Sequence, residues 1–274
     1  MAAAHSVHRL YQHRKALSTK PYGARGKNLV RCQQCLMGQA FCICSHRKPL
    51  LSGASFLLIM YDDEVLKPSN SGRLIADLIP DTHAFIWSRT HIAPELLAIL
   101  QDPQYRPYLV FPGEYAHPDQ PVLSRLPAPR AAASGTEPAT EPATEPAADP
   151  AASRPLFVML DGSWREAIKM FRKSPYLQHL PMLSFDAGTV AAYALRKGSR
   201  DFQFGTAEVA AMALAVMGEE ANARALNAWF DLFIETSLLC RNRRNHAQLQ
   251  PLTEYIEAFE QAHALAQEAH ALGR

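Results

Sequence analysis

The sequence predicts an α/β protein in which a mainly parallel sheet carries helices on both faces. Short apolar segments alternate with helix-like segments from residue 54 onward, which is the usual pattern of such sheets. The segments FLLIM (56–60) and LFVML (156–160) contain no polar residue, as expected of strands buried on both faces. Four cysteines ahead of the first strand predict a small metal-binding module that precedes the sheet.

The elements follow from apolar periodicity and from capping signals. Strands are expected at Ala54–Tyr61, His83–Trp87, Pro107–Phe111, Leu156–Leu160 and Pro181–Phe185. Helices are expected at about 6–18, Ser71–Ile79, Pro94–Gln101, Ser163–Arg172, Thr206–Met217, 221–239 and 251–270. Ser163 and Glu166 form a capping box. The segment Thr206–Met217 is apolar nearly all round, so this helix should be buried.

Residues 130–154 differ in composition from the rest of the chain. They contain the unit TEPA three times and no large apolar residue, so they cannot bury enough surface to offset their ordering entropy. Strand-like segments lie on both sides, which indicates a disordered insertion inside one domain. The expected organisation is a basic arm with the cysteine module (1–49), a main domain (50–250) and a C-terminal helix (251–274).

The charges are unevenly distributed, although 28 Lys and Arg against 26 Asp and Glu leave a net charge of only +2. Residues 1–61 hold nine Lys or Arg and no acid, which suits a polyanion-binding arm or a solvated tail that binds nothing. The N-terminus has no apolar segment typical of a secretory signal, although its Arg-rich composition also suits a transit peptide. No apolar run approaches the roughly 18 residues of a membrane helix. A cytoplasmic protein without a membrane partner is therefore expected, and its oligomeric state is left open.

The cysteines give a specific signal. Cys32 and Cys35 form one close pair and Cys42 and Cys44 a second, so four soft ligands fall within thirteen residues. This donor set favours structural Zn²⁺, with an iron–sulfur cluster or a disulfide pair as alternatives. Cys240 stands alone and is expected to be a small buried hydrophobe.

Polar residues gather where the predicted strands end, and parallel sheets bind ligands beyond those ends. Lys67, Ser69 and Asn70 follow the first strand, Arg89 the second, and Asp161, Gly162, Ser163 and Trp164 the LFVML strand. The next helix places Arg165, Lys169, Arg172 and Lys173 on one face, which suits RNA phosphates or an ordinary solvated surface. The sequence lacks Walker, GxGxxG and GxSxG motifs, which argues against common NTPases, dinucleotide enzymes and α/β-hydrolases.

Several of these segments resemble a known family. The segment LDGSWREAIKMFRKSPYL (160–177) resembles the defining element of DTW-domain proteins, and LKPSNSGRLIADLIPDT (66–82) and FIWSRT (85–90) resemble two further blocks. VFP (110–112), TAEVA (206–210) and the cysteine pattern also fit, so the resemblance covers about residues 20–215 apart from the insertion. Within this family, the segments resemble those of the bacterial tRNA-uridine aminocarboxypropyltransferases. Ser163 departs from the threonine of many relatives, but either residue can cap a helix.

The resemblance implies a SPOUT-like fold with a C-terminal trefoil knot, so that the main domain is a DTW catalytic domain. It also implies transfer of the 3-amino-3-carboxypropyl group of S-adenosylmethionine to N3 of a tRNA uridine, expected in the variable loop. The by-product is then 5′-methylthioadenosine. An RNA methyltransferase of the SPOUT type and a non-catalytic zinc-containing RNA-binding protein are the alternatives.

The expected roles of the site residues follow from the same resemblance and from their chemistry. Asp161 is the candidate general base or orienting group, and the aromatic face of Trp164 suits a sulfonium cation. Residues expected to bind the donor are Trp164, Ser163, Gly162, Leu160, Phe111, Pro112, Ser69, Asn70 and Thr206. Residues expected to contact tRNA are Arg165, Lys169, Arg172, Lys173, Lys67, Arg73 and Arg89, and the expected metal ligands are Cys32, Cys35, Cys42 and Cys44.

Overall fold

The computed structural model describes residues 4–19, 23, 29–127, 153–186, 190, 204–241 and 252–273. The strands in these ranges are β1 (Ser55–Met60), β2 (Thr82–Ile86), β3 (Tyr105–Val110), β4 (Val122–Leu123), β5 (Arg154–Asp161) and β6 (Met182–Leu183). The helices are α1 (Ser6–Ala16), α2 (Gly72–Leu78), α3 (Pro94–Gln101), α4 (Trp164–Arg172), α5 (Thr206–Val216), α6 (Glu220–Arg241) and α7 (Thr253–Ala271).

The strands form one parallel sheet in the order β2-β1-β5-β3-β6-β4, which confirms the predicted α/β class. Met60 of β1 pairs with Ile86 of β2 on one side and with Asp161 of β5 on the other. The carboxyl ends of the three strands therefore lie level at one edge of the sheet. Strand β4 was not predicted, because two residues are too few to show the period of a strand.

Alternating side chains of each strand enter two separate apolar cores. Phe56 and Leu58 of β1 face a core that also holds residues of α1, α2, α5, α6 and α7. Leu57 and Ile59 face a second core with residues of α3 and α4. We call these the first and second face of the sheet. Because both are covered, these strands lack the polar alternation of half-exposed strands.

Helix α5 is buried as its composition predicts. Ala210, Ala211 and Ala213 are completely inaccessible, and Leu214 is equally covered. The small alanine side chains let neighbouring elements approach closely all round the helix. Its first residue, Thr206, lies at the carboxyl edge of the sheet beside β5.

The N-terminal arm packs on the first face and does not form an independent unit. Val7 of α1, Met37 and Ile43 are buried in the same core as the sheet. Arg14 of α1 forms a bidentate ion pair with Asp62, with nitrogen–oxygen distances of 2.7 and 2.8 Å. Helix α1 is thereby fixed beside the loop that follows β1.

Some expectations fall on residues outside the described ranges. Residues 128–152 cover most of the expected insertion, but Arg154 is the first residue of β5 and does not belong to it. The expected trefoil knot is not assigned, because 191–203 and 242–251 also lie outside these ranges. Within the described residues, no helix is both long and apolar enough to cross a membrane.

Candidate active site and metal centre

Asp161 lies at the carboxyl edge of the sheet, where it ends β5, and the residue is only 3 % exposed. The carboxylate points toward the first face. Its Oδ2 accepts a hydrogen bond of 2.6 Å from Nδ2 of Asn70, and its Oδ1 accepts one of 2.5 Å from Oγ1 of Thr206. The structure thus brings three of the predicted site residues into direct contact, although they come from three different segments.

Gly72 allows this carboxylate to lie against the start of α2. A Cβ atom at position 72 would be 2.4 Å from Oδ2 of Asp161 and 2.9 Å from its Cγ. Both distances are far inside van der Waals contact, so any side chain at this position would displace the carboxylate or the helix. Gly72 was not among the site residues predicted from the sequence. The only local signal is a glycine at the first position of a helix, where other residues are usually preferred.

Burial and a neighbouring acid raise the pKa of Asp161 from 3.8 to about 6. The acid is Glu64, and the hydrogen bonds from Thr206 and Asn70 oppose the rise, as does the charge of Arg73. Glu64 accepts a hydrogen bond of 3.3 Å from Asn70, so the two carboxylates share one amide donor. Asp161 is therefore mainly ionised at neutral pH and titrates in mildly acidic solution.

An aromatic cluster lies on the second face of the sheet. Trp164 is 52 % exposed, and its ring stacks on Phe111 with centroids 5.5 Å apart and an interplanar angle of 17°. Tyr115 meets Trp164 edge-on at 5.6 Å. Phe111 in turn stacks on Phe171 in the second core. The cluster fixes the orientation of Trp164 and leaves part of its surface open to a ligand.

The remaining residues expected to bind the donor are placed differently. Ser163 is the N-cap of α4, and both its backbone nitrogen and its Oγ donate to Oε2 of Glu166 at 2.7 and 2.6 Å. Leu160 is half-buried against the second core, and Pro112 is half-buried after β3. Gly162 lies where a Cβ would be 3.2 Å from that of Tyr61, and Ser69 is exposed.

Four cations of α4 and its C-cap are exposed: Arg165, Lys169, Arg172 and Lys173. Nζ of Lys169 donates to the Tyr61 hydroxyl at 3.0 Å and lies 5.3 Å above the centroid of the Tyr61 ring. The same nitrogen lies 5.7 Å above the Trp87 ring, which stacks on Tyr61. Cation–π contacts of this kind hold the lysine at the carboxyl edge. Arg89 is also exposed.

Two cations expected to contact RNA are engaged within the protein. Nζ of Lys67 forms an ion pair of 2.7 Å with Glu64. Arg73 is only 4 % exposed, and its guanidinium donates to backbone carbonyl groups, with the shortest bond of 2.9 Å to Lys67. The expectation that Arg73 contacts phosphates does not fit this position, because a buried guanidinium is out of reach of an RNA backbone.

The four clustered cysteines form a site that can hold a metal ion such as Zn²⁺. All their Sγ atoms lie within 4.8 Å of one another, with 3.7 Å between Cys32 and Cys44 and 3.9 Å between Cys35 and Cys42. Sulfur atoms about 2.3 Å from one tetrahedral zinc are about 3.8 Å apart, so the donors already approximate that geometry. All four are free thiols, which does not support the disulfide alternative.

Hydrogen bonds among the sulfur atoms favour the thiolate at Cys35, whereas the bond to Cys35 and burial raise the pKa of Cys44, and burial raises that of Cys42. A bond from the Cys44 thiol and the backbone amides of Met37 and Ile43 lower the pKa of Cys35 to about 5. Backbone bonds fold the loop, since the Cys32 amide donates to the Met37 carbonyl at 2.8 Å and Leu36 adopts a left-handed φ of 60°. Cys240 lies outside this group, is half-buried, and accepts a bond from the Gly38 amide at 3.2 Å.

Comparison with known protein families identifies the family of this chain. The family model described as the DTW domain matches residues 29–238, a range that includes the cysteine cluster, Asn70, Asp161 and Thr206. A comparison with solved structures returns no significant match. Since the match covers well over half of the chain, the protein belongs to the DTW-domain family. This domain is that of tRNA-uridine aminocarboxypropyltransferases, and the family is associated with tRNA modification.

Proposed function

We propose that this protein is a tRNA-uridine aminocarboxypropyltransferase that uses S-adenosylmethionine to alkylate N3 of a uridine, expected in the variable loop. The observation that supports this most is the buried carboxylate of Asp161, held by Asn70 and Thr206 at the carboxyl edge of the sheet in a DTW domain. A carboxylate kept ionised at neutral pH, although burial raises its pKa to about 6, suits a group that handles a proton.

The reaction requires the loss of one proton. The donor supplies an electrophilic γ-carbon next to its sulfonium. A bond forms between N3 and this carbon, the carbon–sulfur bond breaks, and its electron pair stays on sulfur in 5′-methylthioadenosine. The proton of N3 must leave, and Asp161 is our candidate to accept it or to orient the uridine.

The hydrogen bonds of Asp161 leave room for a substrate. A carboxylate offers about four lone-pair sites, and Asn70 and Thr206 occupy two of them. One donor of the substrate, either N3–H or the amine of the donor molecule, can therefore bind without displacing them. Because the carboxylate is almost completely buried, the substrate group that donates to it must be held directly against it. This favours proton transfer between positioned groups over proton exchange with bulk solvent.

The open part of Trp164 is proposed to bind the donor. An aromatic face attracts a sulfonium cation, and stacking on Phe111 together with the edge-on contact of Tyr115 keeps this ring in one orientation. Trp164 and Asp161 lie on opposite faces at the same edge of the sheet, so a donor between them would span the edge. Holding the γ-carbon rather than the methyl group near N3 would then decide the product.

The tRNA is proposed to bind over α4. Arg165, Lys169, Arg172 and Lys173 are exposed beside the site, and Arg89 follows β2 at the same edge. Exposed Arg9 and Lys15 of α1 extend the positive charge onto the N-terminal helix. The cysteine centre is proposed to bind structural Zn²⁺ and to hold the arm in place.

The test is mass spectrometry of tRNA nucleosides from a strain that lacks the gene. Loss of 3-(3-amino-3-carboxypropyl)uridine, restored by the wild-type gene and not by Asp161→Asn, is the expected result. Loss of a methylated nucleoside instead would support the methyltransferase alternative. An unchanged nucleoside profile would support an RNA-binding protein without catalytic activity.

A further inference from the structure

Arg73 is a buried cation that joins the cysteine centre to the active-site loop. One end of its guanidinium, Nη1, approaches the carbonyl oxygen of Cys35 at 3.5 Å. The other end, Nη2, donates to the carbonyl of Lys67 at 2.9 Å and approaches that of Val65 at 3.5 Å. One guanidinium group therefore contacts both the backbone of a predicted metal ligand, Cys35, and the loop of residues 64–70 that follows β1.

This loop carries the amide that holds the catalytic carboxylate. The backbone nitrogen of Arg73 donates to Oδ1 of Asn70 at 3.1 Å, which leaves the NH₂ group of Asn70 directed at Oδ2 of Asp161 at 2.6 Å. Both the backbone and the side chain of Arg73 thus fix the position of Asn70. A route of direct contacts runs from Cys35 through Arg73 and Asn70 to Asp161.

The burial of Arg73 indicates a specific requirement for this residue. Covering a guanidinium without a carboxylate in direct contact is unfavourable, and desolvation lowers the pKa of Arg73. Asp77 and Asp161 provide the nearby negative charge of the main domain. A large apolar side chain would fill the same space at lower cost but would leave the carbonyl groups of Cys35, Val65 and Lys67 without this donor.

We propose that Arg73 is a positioning residue that couples the metal centre to the active site, so that metal binding orders the 64–70 loop and thereby Asn70 and Asp161. This inference rests on the proposed function for the role of Asp161 in the reaction. The coupling itself concerns the order of the loop, so it can be measured without turnover.

The first experiment follows hydrogen exchange of the wild-type full-length protein before and after removal of zinc by a chelator. Peptides that cover residues 62–72 should exchange at least about tenfold faster without the metal, as expected of a locally opened segment. Peptides of α3 on the second face serve as the internal control and should keep their protection. Unchanged exchange of 62–72, or an equal loss of protection in α3, would overturn the proposal.

The second experiment compares Arg73→Lys with Arg106→Lys, a matched change in a half-buried arginine that lies over the Tyr108 ring on β3. With zinc bound at about one per chain, Arg73→Lys should lower kcat about tenfold or more and change KM for tRNA less than about threefold. Arg106→Lys should retain the wild-type kcat. Wild-type kcat in Arg73→Lys, or a loss that lies wholly in KM, would contradict a positioning role.

A double mutant then tests the route through Asn70. If Arg73 acts through Asn70, Arg73→Lys combined with Asn70→Ser should lose little more activity than the worse single variant. Multiplied losses would show that the two residues act independently and would refute the route. If Arg73→Lys does not fold, the exchange experiment on the wild type still tests whether metal binding orders the 64–70 loop. A wild type that makes no aminocarboxypropyluridine would reject the proposed function and leave the exchange result standing.

Discussion

Replacing Gly72 with alanine tests whether the contact between α2 and Asp161 organises the site. The added Cβ would lie 2.4 Å from Oδ2 of Asp161, whereas carbon and oxygen normally remain about 3.3 Å or more apart, so roughly 1 Å of movement is required. The carboxylate cannot rotate away freely, because Asn70 and Thr206 hold its two oxygens. Either one of these hydrogen bonds breaks or the start of α2 shifts.

The magnitude follows from opposing effects. Alanine in a helix is ordinarily more stable than glycine by about 0.5–1 kcal/mol, because it restricts the unfolded chain. Overpacking a filled site costs about 1–3 kcal/mol, and a lost hydrogen bond to a charged group about 1.5–3 kcal/mol. We therefore expect Gly72→Ala to lower the free energy of unfolding by about 1–3 kcal/mol. A displacement of about 1 Å at the reacting group should lower kcat by about 100-fold.

Urea denaturation and steady-state kinetics on tRNA measure the two effects. Ser71→Ala is the control, because it alters the adjacent residue, whose side chain makes no capping hydrogen bond to α2. This control should stay within about 0.5 kcal/mol and about threefold of the wild type. If Gly72→Ala were as stable and as active as the wild type, the close packing of Asp161 against α2 would have no role in the site.

Three further changes test the remaining parts of the site. The folded state raises the pKa of Asp161 above 3.8, so ionised Asp161 destabilises the fold above pH 6, and protonation restores stability as the pH falls from about 6 toward 4. Asp161→Asn should thus raise the free energy of unfolding at pH 8 by up to roughly 3 kcal/mol, with a smaller gain at pH 5. The same change should lower kcat about 10²–10⁴-fold. Normal turnover in this variant would show that Asp161 has only a structural role. Elemental analysis should find about one zinc per chain in the wild type and none in Cys32→Ser, and stoichiometric iron in the wild type would contradict the assignment. Lys169→Glu with Arg172→Glu should abolish tRNA binding and leave S-adenosylmethionine binding unchanged. The charge-matched control, Arg125→Glu with Arg224→Glu, should leave tRNA binding largely unchanged. Unchanged tRNA affinity in the Lys169→Glu, Arg172→Glu variant would contradict an interface on α4 and would point to α1 instead.

Features that depend on neighbouring residues could be predicted from the sequence. The capping box at Ser163 is formed, and α3 has the predicted bounds Pro94–Gln101. The strands β1 and β5 were predicted to within two residues at each end, because unbroken apolar segments indicate strands covered on both faces. The gathering of Asn70 and Asp161 also followed from the rule that parallel strands end at one edge, whereas Thr206 was expected at the site only from the family resemblance.

Features that depend on long-range packing could not be predicted. Arg73 has the pattern of an exposed cation on a helix, but α1 and the cysteine loop cover it from segments that are distant in sequence. The need for Gly72 arises only when α2 meets the end of β5, 89 residues further along the chain. The ion pair of Lys67 with Glu64 joins residues three apart, yet the sequence alone did not indicate it.

The measurement that tests the central claim most directly is label transfer from S-adenosylmethionine to tRNA by the purified protein. One preparation carries the label in the carboxyl carbon of the methionine moiety and a second carries it in the methyl group. We expect label in tRNA from the first preparation only, with 5′-methylthioadenosine formed in equal amount. Label from the methyl group, with S-adenosylhomocysteine as the by-product, would contradict aminocarboxypropyl transfer and identify a methyltransferase.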